Sequence, residues 1–215
     1  MSIDESFQVP QTPNTDSLDQ LSLQRLSEPI GTIAYGESGS VDLENGNYRM
    51  HIAYKRASPS YGQLQITDTT LELVSFSLSR TDTNAKLELS DLVPSNAIVL
   101  FNPASETGQG FAYTGWDRPL IVATGNITQP NTVLTVLHEA GHLFKDPGVD
   151  VGDINARRAY MKDDAKLERE RNSWTDVLRK LKPLLDRRHS NEYSILLEDV
   201  MRVIKKDLRK YDKES

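Results

Sequence analysis

The sequence predicts an α+β protein, because short alternating runs fill its first half and long helical stretches fill its end. Apolar and polar residues alternate over five short runs, at residues 32–35, 48–54, 64–66, 71–78 and 87–89. This alternation is typical of half-buried β-strands. From about residue 163 the apolar residues recur every three or four positions, which is the spacing of amphipathic helices. A chain of 215 residues is long enough to bury a sizeable core around these elements.

The chain divides into three parts by composition. Residues 1–30 are mostly Ser, Gln, Asp, Thr and Pro, so we expect a flexible tail that buries too little apolar surface to become ordered. Residues 31–95 form a β-rich region, in which Asn45-Gly46 predicts a tight hairpin turn because both residues tolerate positive φ. Residues 96–215 are predicted to form a second unit that carries the chemistry.

Strands and then helices are predicted in this second unit. Three further strand candidates lie at residues 97–101, 111–116 and 120–123. A helix follows, with Pro130 in its first turn, Thr128 or Asn131 as its cap, and an end near residues 146–148. Two more helices are predicted at residues 163–182 and 191–211. Pro183 stops the first of them and Ser190 caps the second.

Charge and cysteine content exclude several classes of function. The net charge of −6 argues against a nucleic-acid partner. The absence of cysteine excludes disulfides, thiol nucleophiles and cysteine-based zinc sites, so any zinc must be held by histidines and carboxylates. No run of 18 apolar residues and no signal-peptide pattern occurs, so we expect a cytoplasmic protein with no membrane partner.

The pentapeptide H-E-A-G-H at residues 138–142 is the most informative motif. His138 and His142 lie four residues apart, on one face of a helix, so both imidazoles can reach one metal ion. Glu139 can address a water activated by that ion. The spacing therefore predicts a catalytic Zn²⁺ site that performs hydrolysis, with Glu139 as general base.

A catalytic zinc usually has three protein ligands, so one remains to be found. The extended pattern with a third histidine fails because that position holds Gly148. We expect His51 and His189 to be structural or solvated. Acidic candidates remain along the chain after the motif, namely Asp146, Asp150, Asp153, Glu168 and Glu170. On a helical wheel of residues 163–182, Glu170 lies nearer to the buried face than Glu168 does.

A resemblance to a known family bears on this choice. Residues 167–174, L-E-R-E-R-N-S-W, resemble the second conserved helix of the ImmA/IrrE group of gluzincin-type metallopeptidases, with its E-x-x-A-N-x-aromatic pattern. Glu168 falls on the ligand glutamate, Asn172 on the asparagine and Trp174 on the aromatic residue. The likeness spans residues 97–183 and implies a zincin-like fold, in which a small mixed sheet packs on the active-site helix and helices follow. It implies His138, His142 and Glu168 as metal ligands.

The resemblance implies a zinc metallopeptidase that acts on a peptide or protein substrate, such as in regulatory proteolysis. An extended peptide could add to the strand at residues 111–115 by β-augmentation. Tyr113, Tyr160 and His189 are alternative donors for a developing oxyanion. The competing interpretation is a non-catalytic metal-binding or protein-interaction module, with the β-rich region as its binding surface.

Overall fold

A computed structural model of the chain describes most of the sequence between Leu26 and Asp212. The described residues are 26, 31–34, 37–61, 67–103, 109–113, 118–145, 166–188 and 193–212. Within them the fold is α+β, as predicted, with a mixed sheet of seven strands covered by helices. The predicted tail, residues 1–30, lies outside the described residues apart from Leu26.

Strands occupy the first half of the described chain and helices the second. The strands are β1 (Gly39–Asn45), β2 (Tyr48–Arg56), β3 (Leu71–Arg80), β4 (Lys86–Glu88), β5 (Ile98–Asn102), β6 (Gly110–Tyr113) and β7 (Leu120–Thr124). The helices are α1 (Leu89–Leu92), α2 (Pro130–Lys145), α3 (Lys166–Leu181) and α4 (Leu197–Asp212), with a short 3-10 helix at Pro59–Tyr61. None of the helices in the described ranges combines the length and the hydropathy of a membrane-crossing segment.

The predicted hairpin at Asn45-Gly46 is confirmed, and it joins β1 to β2. Asn45 pairs with Tyr48, and Gly46 has a positive φ of 57°, which glycine adopts without steric cost. The strand before the turn is β1, whereas the predicted strand at residues 32–35 is wrong because residues 32–34 form no strand. The run at residues 64–66 lies outside the described residues.

One sheet contains strands from both predicted units. Its order is β1-β2-β3-β5-β7-β6, with β4 paired to β3. Strands β5 and β7 are parallel and the other pairs are antiparallel. Leu71 pairs with Phe101 where β3 meets β5, so the predicted boundary at residue 96 falls inside a continuous sheet. Among the described strands, β6 lies at the end of the strand order. The predicted strand at residues 111–116 is confirmed over residues 111–113, and residues 114–116 lie outside the described residues.

The helix α2 begins at Pro130, as predicted, but its first turn is not capped by Thr128. The Thr128 hydroxyl has no hydrogen-bond partner among the described residues, and the amide of Val133 donates to the Gln129 carbonyl at 3.2 Å. Pro130 fits at this point because its missing N–H would have had no helical acceptor. The predicted end of this helix at residues 146–148 lies outside the described residues.

The last helix begins later than its apolar stripe predicts. The prediction placed its start at residue 191 with Ser190 as cap; Ser190 lies outside the described residues, and α4 starts at Leu197. Before it, the backbone pairs with the chain that follows α3: the Asp186 amide donates to Ile195 at 2.9 Å, and the Leu197 amide donates to Asp186 at 3.2 Å. These backbone groups are used in the bridge and are therefore not available for another helical turn.

The core lies between the sheet and the helices. A continuous cluster of buried apolar side chains joins β2, β3, β5 and β7 to α2, α3 and α4. Among its fully buried members are Ile52, Leu78, Phe101, Leu137 and Val177. Burial of each such side chain stabilises the fold by about 1.5–3 kcal/mol. Because α2 and α3 both contribute side chains to this core, the core fixes which face each helix turns toward the other.

Candidate metal centre

Helix α2 presents the two histidines of the motif together. The Nε2 atoms of His138 and His142 are 3.3 Å apart, and their ring centroids are 4.8 Å apart. His138 is only 9% exposed, because the preceding turn of α2 is anchored in the core by Leu134 and Leu137. The helical spacing therefore aims both imidazoles at one point, as the sequence predicts.

Helix α3 brings Glu170, and not Glu168, to the histidine pair. The Oε2 atom of Glu170 lies 3.0 Å from Nε2 of His138 and 3.7 Å from Nε2 of His142, and its side chain is 12% exposed. Glu168, which the family resemblance selects as ligand, is exposed to solvent. The physical reason is the buried face of α3: Trp174 is four residues after Glu170, so both lie on that face.

A close approach of the two helices holds this arrangement. Gly141 of α2 faces Ser173 of α3, and a Cβ on Gly141 would lie 2.6 Å from Ser173 Oγ and 2.9 Å from Ser173 Cα. The Ser173 hydroxyl donates a hydrogen bond of 3.1 Å to the carbonyl of His138. The glycine inside the motif therefore lets α3 come near enough for Glu170 to reach the imidazoles.

The spacing of the three donor atoms fits a single zinc ion. Two ligand atoms that are each about 2.0–2.1 Å from a tetrahedral zinc lie roughly 3.3 Å from one another. The three observed separations are 3.0, 3.3 and 3.7 Å, which bracket that value. Two imidazoles and a carboxylate are also the donors that catalytic zinc commonly takes, with the fourth position left to water or substrate.

Trp174 supports the first histidine from behind. Its ring stacks on the His138 imidazole with centroids 4.4 Å apart and planes tilted by 30°. Its indole N–H donates a hydrogen bond of 2.9 Å to Asp207 of α4. The family resemblance assigns Trp174 to the site, whereas no sequence motif includes Asp207.

Tyr211 of α4 also reaches the site, although no sequence motif includes it. Its hydroxyl donates a hydrogen bond to the Glu170 carboxylate, and the Lys166 ammonium lies 4.7 Å from the centre of its ring. Burial and the nearby carboxylates of Glu170 and Asp207 raise the pKa of Tyr211. The only available signal was helical spacing, since residues 207 and 211 continue the pattern of Val200 and Ile204 along α4.

Glu139 lies beside the histidine pair and next to the edge strand. Burial raises the pKa of Glu139 above the ordinary glutamate value, although the two imidazoles act in the opposite direction. Gly110, the first residue of β6, faces this side chain: a Cβ on Gly110 would lie 2.7 Å from Glu139 Cγ and 2.6 Å from Thr135 Cγ2. The edge strand therefore passes directly over the predicted general base.

The charge state of the third ligand is set by its neighbours. Burial alone would raise the pKa of Glu170, but the two imidazoles, whose Nε2 atoms lie 3.0 and 3.7 Å from its Oε2 atom, outweigh the effect of burial and hold that pKa well below the ordinary range. Glu170 is therefore a carboxylate, which is the form that binds a metal ion.

The other predicted site residues do not join this cluster in the described part of the chain. His51 pairs with Asp42 at 2.7 Å across β1 and β2, where its side chain is 44% exposed. This agrees with the predicted solvated or structural role. Tyr113 packs against a small apolar cluster that contains Ile98 and Leu120. The remaining candidates lie outside the described residues, namely Asp146, Asp150, Asp153, Tyr160 and His189.

Among the described residues, one group of three side chains could hold a metal ion, and it consists of His138, His142 and Glu170. Comparison with protein-family models, with curated proteins and with solved structures finds no match to this chain. The assignment of a metal centre therefore depends on the donor atoms and their spacing.

Proposed function

We propose that this protein is a zinc metallopeptidase with a zincin-like active site, in which His138, His142 and Glu170 bind one Zn²⁺. The observation that supports it best is the convergence of three metal-binding atoms, within 3.0–3.7 Å of each other, next to the glutamate of an H-E-x-x-H helix. If these two histidines and Glu170 only stabilised the core, they would not need the further carboxylate of Glu139 beside them.

Glu139 is the general base in this proposal. When bound, zinc supplies Lewis acidity, which acidifies a water molecule and polarises the scissile carbonyl. Glu139 accepts the proton of the attacking water and delivers it to the amine that departs when the peptide C–N bond breaks. Its raised pKa suits this task, because a more basic carboxylate takes up a proton more readily near neutral pH.

The substrate of this proposal is an extended peptide segment that adds to strand β6. Among the described strands, β6 ends the sheet order, and an added strand would pair with its outer backbone groups. Gly110 places the strand against Glu139, which would lay the bound peptide across the histidine pair. Phe111, the next residue, is 47% exposed and offers an apolar contact for a substrate side chain.

The Glu139→Gln variant tests the proposed catalysis. It should bind one zinc per chain, as the wild type does, but lose about 10²–10⁴-fold in cleavage rate on a mixed peptide library, because an amide cannot act as base. Zinc content by mass spectrometry and cleavage by peptide sequencing give the two readouts. Full activity of this variant would remove Glu139 from the mechanism.

Removal of the metal separates the enzyme from a non-catalytic metal clip. A catalytic zinc should be extracted by a chelator while the protein stays folded, and activity should return when zinc is added back. Unfolding on extraction, or a zinc-loaded protein that cleaves no member of the library, would instead favour a structural metal site.

A further inference from the structure

The C-terminal helix α4 contacts both elements of the metal site. Its residue Asp207 accepts the hydrogen bond of Trp174, whose ring stacks on His138. One turn later, Tyr211 hydrogen-bonds the carboxylate of Glu170. Residues four apart lie on one face of a helix, so a single face of α4 supports one ligand from each of α2 and α3.

Tyr211 is held at two points by α3. Lys166 and Glu170 are four residues apart and lie on the same face of that helix. The ammonium of Lys166 sits 4.7 Å from the ring centre, a cation–π contact, while the hydroxyl reaches Glu170. A ring fixed in this way has little freedom to rotate, so its hydroxyl is directed at the carboxylate.

The orientation of Glu170 determines whether it can bind the metal. Its Oε2 atom must face the two imidazoles, as it does at 3.0 and 3.7 Å. Glutamate has three rotatable bonds, and its carboxylate can turn away unless another group holds it. Outer hydrogen-bond partners commonly fix metal-binding side chains in this way, and their loss reduces metal affinity by about 10–100-fold.

We infer that Tyr211 is a positioning residue of the metal centre, which fixes the Glu170 carboxylate with Oε2 toward the histidines and so makes α4 part of the site. This inference rests on the proposed zinc site. Tyr211 does not bind the metal in this inference; it acts through Glu170. Helix α4, which no sequence motif assigns to the active site, thereby contributes to the affinity for zinc.

The Tyr211→Phe variant tests this inference, because it removes the hydroxyl and keeps the ring under Lys166. Zinc dissociation constants, measured by competition with a chelating dye on the full chain, should rise by about 10–100-fold. The Co²⁺-substituted protein should also change its visible absorption bands, which report the geometry of the ligands. The inference would be overturned if Tyr211→Phe and the wild type had the same zinc dissociation constant and the same Co²⁺ absorption bands.

A matched control is Tyr48→Phe. The Tyr48 hydroxyl donates a hydrogen bond of 2.7 Å to the Leu184 carbonyl in the core. Like Tyr211→Phe, this variant therefore loses one hydrogen bond of a tyrosine hydroxyl. It should reduce stability with no change in zinc affinity or in the Co²⁺ bands. An equal loss of zinc affinity in both variants would assign the Tyr211 effect to general stability and overturn the inference.

Failure of the proposed site gives a different result. If the wild type binds no zinc, the metal site and this inference both fail. If the wild type binds one zinc and Tyr211→Phe binds it equally well, only the inference fails. Should Tyr211→Phe not fold, Lys166→Gln releases the ring from its other contact, and it should also weaken zinc binding; unchanged zinc affinity of this folded variant would overturn the inference.

Discussion

Replacement of Gly141 by alanine should separate the two helices of the metal site. The added Cβ would lie 2.6 Å from Ser173 Oγ and 2.9 Å from Ser173 Cα, whereas ordinary contacts begin near 3.4 Å. The Oγ can rotate away, but the Cα belongs to the backbone of α3. Helix α3 must therefore move outward by about 0.5 Å, the difference between 3.4 and 2.9 Å.

This displacement is large for a metal ligand and modest for the fold. Glu170 is three residues before Ser173, so it moves with the helix, and zinc–ligand distances tolerate only about ±0.2 Å. We expect zinc affinity to fall by at least ~10-fold. Helix propensity favours alanine by about 0.5–1 kcal/mol, while overpacking costs about 1–3 kcal/mol. The net loss of roughly 1 kcal/mol should lower the Tm by about 2–4 °C.

Dye competition for zinc and thermal unfolding of the metal-free protein measure the two effects separately. The Gly141→Ala/Ser173→Gly double variant removes the contacts with Ser173 Oγ at 2.6 Å and Ser173 Cβ at 3.1 Å but leaves the contact with the Cα, so it should recover part of the zinc affinity. Ser173→Gly alone controls for loss of the hydrogen bond to His138. Zinc binding by Gly141→Ala that equals the wild type would refute the reasoning, because α3 would then approach α2 without needing a glycine.

Two further outcomes follow from the structure. Gly110→Ala should bind zinc normally but cleave peptides at least ~10-fold more slowly, because its Cβ would displace the Glu139 side chain at 2.7 Å; a variant with wild-type activity in a peptide-cleavage assay would contradict this. Burial would raise the pKa of Asp176, but hydrogen bonds from Lys180 and Arg179 outweigh it and lower that pKa in the folded state. The charged Asp176 therefore stabilises the fold above the unfolded pKa of about 3.9, and this contribution is lost as the pH falls through the lower folded pKa. Asp176→Asn should be less stable than the wild type at pH 7, with a difference that shrinks below about pH 4 in denaturant unfolding of the metal-free protein; a difference independent of pH would contradict the assignment.

The sequence predicts best what depends on short-range periodicity. Helix α2 and its histidine pair follow from helical spacing alone, and the hairpin at Asn45-Gly46 follows from local backbone preference. Helix α4 starts later than its apolar stripe predicts, because the Asp186–Leu196 bridge, a pairing across ten residues, withdraws the preceding backbone from the helix. A stripe of apolar residues gives no sign of such a pairing.

The third ligand shows where sequence reasoning is limited. The helical wheel favoured Glu170 and the family pattern favoured Glu168, and the structure brings Glu170 to the histidines because Trp174 fixes the buried face of α3. Asp207 and Tyr211 could not be assigned to the site from sequence, since their roles depend on how α4 packs across α3. That packing is a tertiary property which periodicity does not encode.

Zinc binding by Glu170→Gln and Glu168→Gln tests the central claim most directly. The two variants make the same chemical change on the same helix, at one buried and one exposed position. Glu170→Gln should lose more than the ~10–100-fold in zinc affinity that follows removal of an outer hydrogen-bond partner of a ligand, while Glu168→Gln should bind one zinc per chain as tightly as the wild type. Equal affinity in all three proteins, or a loss confined to Glu168→Gln, would contradict the proposed metal centre.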